Sequence, residues 1–154
     1  MAPAEMMRSL LQPDRVVLNL RAANKAKLLQ DLARRAAAPA GVDAHAAAAA
    51  LAARELLGST GVGNGFALPH ARMDGLAAMF GLFARLAGPI PFDAIDEKPV
   101  DLVFMLLIPS QAAAEHLAAL AAISRRMRDT SVARRLRHAE TPAAAYDLLA
   151  GAAG

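Results

Sequence analysis

The chain contains no cysteine, no tryptophan and a single tyrosine. The first absence excludes a disulfide framework, a thiolate nucleophile and cysteine-ligated zinc. Long apolar runs are also missing. The longest are Ala46–Ala53, mostly methyl groups, and Leu102–Ile108, stopped by Pro109, both far short of the ~20 residues a membrane helix needs. The opening MAPAEMMRSLLQPDR has neither the continuous apolar stretch nor the small-residue cleavage site of a secretory signal. Together these absences predict a cytoplasmic location and no direct membrane insertion.

Cofactor motifs are lacking as well. The glycine-rich GSTGVGNG at positions 58–65 has no Lys-Ser/Thr ending of a nucleotide P-loop, and its spacing is not the GxGxxG of a dinucleotide site. No serine sits in a GxSxG elbow. The four histidines, His45, His70, His116 and His138, show neither HExxH nor i, i+4 pairing, so no metal site is expected from neighbouring ligands. The expectation is a protein without cofactor or metal.

What is present fits one domain spanning 1–154, with a core from about 10 to 149. The 56% hydrophobic content includes 40 alanines, which leaves 46 larger apolar side chains in 154 residues, enough for one core. The net charge of +3 is unevenly spread: Arg125, Arg126, Arg128, Arg134, Arg135 and Arg137 against Asp129 give +5 between 125 and 138, and the remainder sums to −2. Without aromatic residues beside that cluster, the stacking platforms of single-strand binding are missing. The cluster is read as a solvated surface suited to an acidic partner, and no nucleic-acid partner is expected.

Periodicity orders the elements. Val16–Leu20 reads as a strand, and Lys25–Ala38 as a helix through Leu28, Leu29, Leu32 and Ala36, broken by Pro39 and Gly41. Asp43 is placed to cap an alanine-rich helix that runs to Leu57 and ends at Gly58. Residues 58–65 read as a backbone-exposing loop, because neither helix nor strand tolerates four glycines in eight residues well. Phe66–Leu68 and Met79–Leu86 alternate as strands do, and Val100–Ile108 is so continuously apolar that it predicts a central strand covered on both faces. Ser110 is placed to cap a helix over about Gln111–Met127 with a buried stripe of Leu117, Leu120, Ile123 and Met127. Shorter helices follow at Ser131–His138 and Thr141–Ala150, the latter with Pro142 at its first position. The fold class is α/β, a mixed sheet of about five strands flanked by helices on both faces.

Chemistry converges on His70, which follows Pro69 at a predicted strand end directly after the glycine-rich stretch. A neutral imidazole, with an ordinary pKa near ~6.5, is a competent nucleophile, and glycine-rich backbone offers N–H groups to a phosphoryl group. On the residues alone, a loop histidine without a role is the commoner reading. Arg54 projects between Leu51 and Leu57, on the apolar side of its helix, where a guanidinium needs either an anion or a route to solvent. His116 lies near a predicted helix N-terminus, which favours anions; a packing role is the alternative there.

The segment from Arg54 to Arg72, RELLGSTGVGNGFALPHAR, resembles the active-site signature of enzyme IIA of the phosphoenolpyruvate-dependent phosphotransferase system, in its fructose/mannitol/nitrogen superfamily. FDAIDEKPVDLVFMLLIPS followed by EHLAALA resembles the second half of that family, so the likeness runs from about Leu10 to Leu149. The resemblance implies a mixed five-stranded sheet with flanking helices. It implies His70 as the phosphorylated histidine reacting through Nε2, His116 as a second histidine hydrogen-bonding the phosphoryl group, and Arg54 as the arginine beside it. Ser59, Thr60 and Asn64 become candidate phosphate-binding positions; Asn64 stands where sugar-type relatives often carry Glu. The GLFARL and FDAIDEKPVDLVF stretches look most like the nitrogen-type branch. The implied donor is a small histidine phosphocarrier, with phosphoenolpyruvate the ultimate source. The implied recipients are regulatory targets such as potassium-transport or sensor-kinase components; the alternative is a sugar-type role passing phosphate to a IIB cysteine. A binding module that has lost the chemistry is disfavoured by the joint presence of His70, His116 and Arg54.

Overall fold

The computed structural model describes residues 3–112 and 114–151. Its centre is β6 (Val100–Pro109), hydrogen-bonded on both edges. On one edge it pairs antiparallel with β5 (Phe80–Ile90), which pairs parallel with β1 (Val16–Leu20). On the other edge β3 (Phe66–Ala67) and β4 (His70–Met73) run parallel to successive stretches of β6, at Leu102–Val103 and Leu106–Pro109. The short β2 (Gly61–Gly63) pairs antiparallel with β3. Because β3 and β4 share one edge of β6, six strands make a mixed sheet five positions wide, in agreement with the expected class.

Burial explains why β6 is continuously apolar from Leu102 to Ile108. Val103, Met105 and Leu107 face a core built with α2 (Lys25–Ala40) and α3 (Ala44–Leu56). Leu102, Phe104, Leu106 and Ile108 face a second core with α1 (Pro3–Leu10), α4 (Glu115–Arg128), α5 (Thr130–His138) and α6 (Pro142–Ala150). The period-two alternation of a strand divides one sequence run between two helical layers. Gly81 on β5 lets the chain pack closely against this second core: a Cβ there would lie 2.8 Å from both the Leu10 carbonyl oxygen and the Phe104 ring.

Local signals set most boundaries. Asn24 and Asp43 cap α2 and α3 by accepting the Lys27 and Ala46 N–H groups, and Thr141 caps α6 with Pro142 at its first position. Several expectations require correction. Pro39 does not end α2 but lies in its last turn, where few helical hydrogen bonds remain to be lost, and Gly41, at φ 72°, closes the helix. Residues 61–67 form a small hairpin rather than a plain loop, since Gly63, Asn64 and Gly65 supply the positive φ values of 104°, 56° and 78° that its turn demands. Ser110 caps no helix: its N–H bonds to the Met73 carbonyl, and α4 starts only at Glu115. The α4 stripe is also displaced, with Leu117 63% exposed and Ala119 and Ala122 buried beside Ile123 and Met127. Pro89 falls inside β5, in the irregular end where the ladder shifts between Arg85 and Ile90. Helix α1 has no counterpart among the elements the sequence predicts.

Candidate functional site

Three elements meet at His70. It opens β4 immediately after Pro69, whose carbonyl accepts the Leu106 N–H of β6 at 3.0 Å. Ala71 and Met73 are buried, so His70 and Arg72 occupy the opposite, more open face of the strand. His70 is half-buried, and its Nδ1 lies 2.8 Å from the Leu68 carbonyl oxygen. A carbonyl only accepts, so Nδ1 carries the proton and Nε2 keeps its lone pair. Burial pushes the imidazole below its ordinary pKa, and the charges of Arg54 and His116 act in the same direction. The Leu68 carbonyl and Glu55 oppose this shift without overturning it. The ring is therefore neutral near pH 7, with a nucleophilic nitrogen available.

The Arg54 guanidinium is half-buried near the end of α3, and its Nη1 donates to the Gly58 carbonyl at 3.0 Å. The expected apolar neighbour on one side is absent, because Leu57 lies past the helix end and is 85% exposed. Arg54 is thus held by the turn that leads into the glycine-rich stretch and not by a hydrophobic stripe. It still lies close enough to His70 to disfavour that ring's protonation.

His116 stands in the first turn of α4, half-buried. Arg72, two residues beyond His70, reaches it: Arg72 Nη2 is 3.2 Å from His116 Nδ1 and 3.3 Å from Nε2, while Nη1 donates to the Ser110 and Ala112 carbonyls at 3.0 and 2.8 Å. The guanidinium is held by the two carbonyls with its Nη2 against the His116 ring. The sequence held one signal for this role, the i, i+2 spacing that puts Arg72 on the same strand face as His70.

The remaining candidates sit differently. Ser59 Oγ donates to the Phe92 carbonyl at 2.6 Å and accepts the Gly61 N–H at 3.0 Å. The buried Thr60 hydroxyl donates to Glu55 Oε2, and the Thr60 N–H donates to Glu55 Oε1 at 3.1 Å. Both hydroxyls are directed into the protein, where they hold the loop. Asn64 is exposed at the hairpin turn, its N–H on Asp96 and its carbonyl accepting from Arg137 at 2.7 Å. Its place along the sheet is level with Asp101, whereas His70 is paired with Leu106. At ~3.3 Å per strand residue this separates Asn64 from His70 by roughly 15 Å or more. The structure groups His70, Arg54, His116 and Arg72, and leaves Asn64 apart. Glu55, with its side chain only 5% exposed, was not among the sequence candidates.

The arginine cluster is divided. Arg125, Arg128, Arg134 and Arg135 are exposed as expected, but Arg126 donates to the Leu148 carbonyl at the end of α6, and Arg137 pairs with Asp101 at 2.9 Å. Those two are structural ties. Among the described residues no three His, Asp or Glu side chains converge to hold a metal, and no helix is long and apolar enough to cross a membrane.

Residues 9–152 match the model of a family described as "Phosphoenolpyruvate-dependent sugar phosphotransferase system, EIIA 2". The chain belongs to this family. It is 45% identical over 141 residues to a nitrogen regulatory protein of Bradyrhizobium diazoefficiens, covering 92% of each chain. It is 42% identical over 108 residues to the fructose-specific EIIA component of Haloferax volcanii, covering 70% of each. The crystal structure of the nitrogen regulatory protein IIA-Ntr from Neisseria meningitidis superposes with a TM-score of 0.89 at 31% identity, over 94% of this chain and 99% of that one. These similarities fit the nitrogen-regulatory type of enzyme IIA, a component of the phosphotransferase system with a phosphocarrier role.

Proposed function

We propose that the protein accepts a phosphoryl group on His70 Nε2 from a small histidine phosphocarrier, ultimately charged by phosphoenolpyruvate, and regulates cytoplasmic target proteins according to its phosphorylation state. The observation that carries this reading is the 2.8 Å contact of Nδ1 with the Leu68 carbonyl, which leaves Nε2 as the reactive nitrogen. In the transfer, the P–N bond to the donor imidazole breaks as the bond to His70 Nε2 forms. One P–N bond replaces another, so the protein's task is alignment and charge balance. Arg54 and His116, with Arg72 against the His116 ring, supply that balance around the incoming group.

Phosphorylation adds about −1.5 to −2 charge at an open sheet face. A regulatory target, such as a potassium-transport or sensor-kinase component, distinguishes the two states by that charge. The likeness to a fructose-specific component favours one alternative, delivery to a cysteine of a IIB domain. Pulldown with wild type, His70→Ala and His70→Asp tests the choice. Capture of targets that changes between the variants supports regulation, and phosphoryl transfer from the loaded chain to a IIB cysteine without state-dependent capture supports the sugar-type role.

A further inference from the structure

A continuous chain of hydrogen bonds connects a partly buried ion pair to the His70 ring. Lys25 Nζ, at the start of α2, lies 2.8 Å from Glu55 Oε1 near the end of α3. The same carboxylate accepts both the N–H and the hydroxyl of Thr60, the one buried polar residue among those described. The Thr60 carbonyl accepts the Leu68 N–H at 3.0 Å, and the Leu68 carbonyl accepts His70 Nδ1–H at 2.8 Å. Lys25 is held in place in turn, with Nζ 3.4 Å from the Phe92 carbonyl oxygen and 4.4 Å from the centre of the Phe92 ring.

Stability alone does not account for this arrangement, because a buried ion pair is commonly matched or exceeded by a well-packed apolar pair. Directional groups do something an apolar pair does not: they fix the rotation of the peptides they touch. Thr60 lies between α3 and the hairpin, and the only described partner of the His70 Nδ1 proton is the Leu68 carbonyl, in the link between β3 and β4 that Thr60 pins. A free neutral imidazole prefers its proton on Nε2, the tautomer that cannot react there. The geometry points to Glu55, neutralised by Lys25, as a positioning residue that acts through Thr60 and Leu68 to hold His70 in its Nδ1–H tautomer. This rests on the reading of His70 as the phosphoryl acceptor.

The test uses the full chain as wild type, Glu55→Gln and Thr60→Val. Nitrogen-15 NMR of the His70 imidazole reports the tautomer without any phosphoryl donor, and single-turnover phosphorylation is measured across donor concentrations. Folded variants should show a growing Nε2–H population and a maximal rate reduced by roughly tenfold or more, with the donor half-saturation unchanged, as expected when a reacting atom is misplaced after binding. The inference is overturned by a folded variant with wild-type tautomer and rate, by a wild-type ring whose neutral form already carries its proton on Nε2, or by unfolding of both variants. A tautomer shift in a chain that is never phosphorylated, even as wild type, would leave the positioning intact and remove the assignment of His70 as acceptor.

Discussion

Replacing Arg54 with alanine separates structure from chemistry at the site. In the folded chain the guanidinium makes one described hydrogen bond, from Nη1 to the Gly58 carbonyl at 3.0 Å, on a half-buried side chain. Losing it should cost about 0.5–1.5 kcal/mol. For a chain of this length that lowers Tm by only a few degrees, at about 2–4 °C per kcal/mol. Removing a preorganised charged donor from a developing anion should instead slow transfer by roughly 10²–10³-fold, or about 2.7–4 kcal/mol. One further effect must be kept out of the measurement. Arg54 helps to depress the His70 pKa, so its loss raises that pKa toward the ordinary value. At pH 8 the ring is neutral in both proteins, and the rate then reports charge stabilisation alone. The assay is rapid-quench intact mass at pH 8 with a phosphorylated donor, alongside thermal unfolding. Arg54→Lys, which keeps the charge and loses the fork, should fall between wild type and alanine. A rate within about threefold of wild type, less than 1 kcal/mol of barrier, together with a Tm loss above that range, would refute the reasoning and assign Arg54 to the turn.

His70→Ala should abolish the acid-labile mass gain of one phosphoryl group, and a mutant that still gains it would move the site to His116. In NMR titration, unphosphorylated His70 should show a pKa below about 6.5, since burial disfavours its charged form. Its folded pKa is lowered, so the unfolded chain binds more protons between the two values, and this group's contribution to stability falls as pH drops from about 6.5 through the folded pKa; a measured pKa above the ordinary value contradicts this. Phe104→Ala, which empties a wholly buried position, should cost about 3–5 kcal/mol in denaturant unfolding, and a loss below 1 kcal/mol would mean that the second core is not packed as described. Arg137→Ala should destabilise by about 1.5–3 kcal/mol through Asp101 and the Asn64 carbonyl, whereas the exposed Arg134→Ala should stay within about 0.5 kcal/mol; equal effects would contradict the division of the arginine cluster.

What the sequence reveals of this molecule depends on the range of each signal. Strand β6 is legible because its stretch from Leu102 to Ile108, buried on both faces, must be apolar at every position, and such a run satisfies two helical layers at once. The Asp43 cap and the Pro142 helix start act within a few residues of themselves, so local chemistry suffices. The α4 stripe is misread because alanine does the burying: Ala119 and Ala122 pack inward while the larger Leu117 stays in solvent, and size is a poor guide in a chain with 40 alanines. At the site, His70 is marked by its motif and Arg72 by strand alternation. Glu55 is invisible beforehand because its partner Lys25 lies thirty residues away on another helix and Thr60 beyond the helix end. Ser59 and Thr60 look like phosphate ligands in one dimension, and only the fold shows their hydroxyls turned toward Phe92 and Glu55.

The most direct test of the central claim is phosphorus-31 and nitrogen-15 NMR of the chain phosphorylated by a histidine phosphocarrier. The account predicts one phosphoryl group, coupled to Nε2 of His70, with the Nδ1 proton still hydrogen-bonded to the Leu68 carbonyl. Coupling to Nδ1, a phosphoryl group on His116, or a chain that takes up none would contradict it.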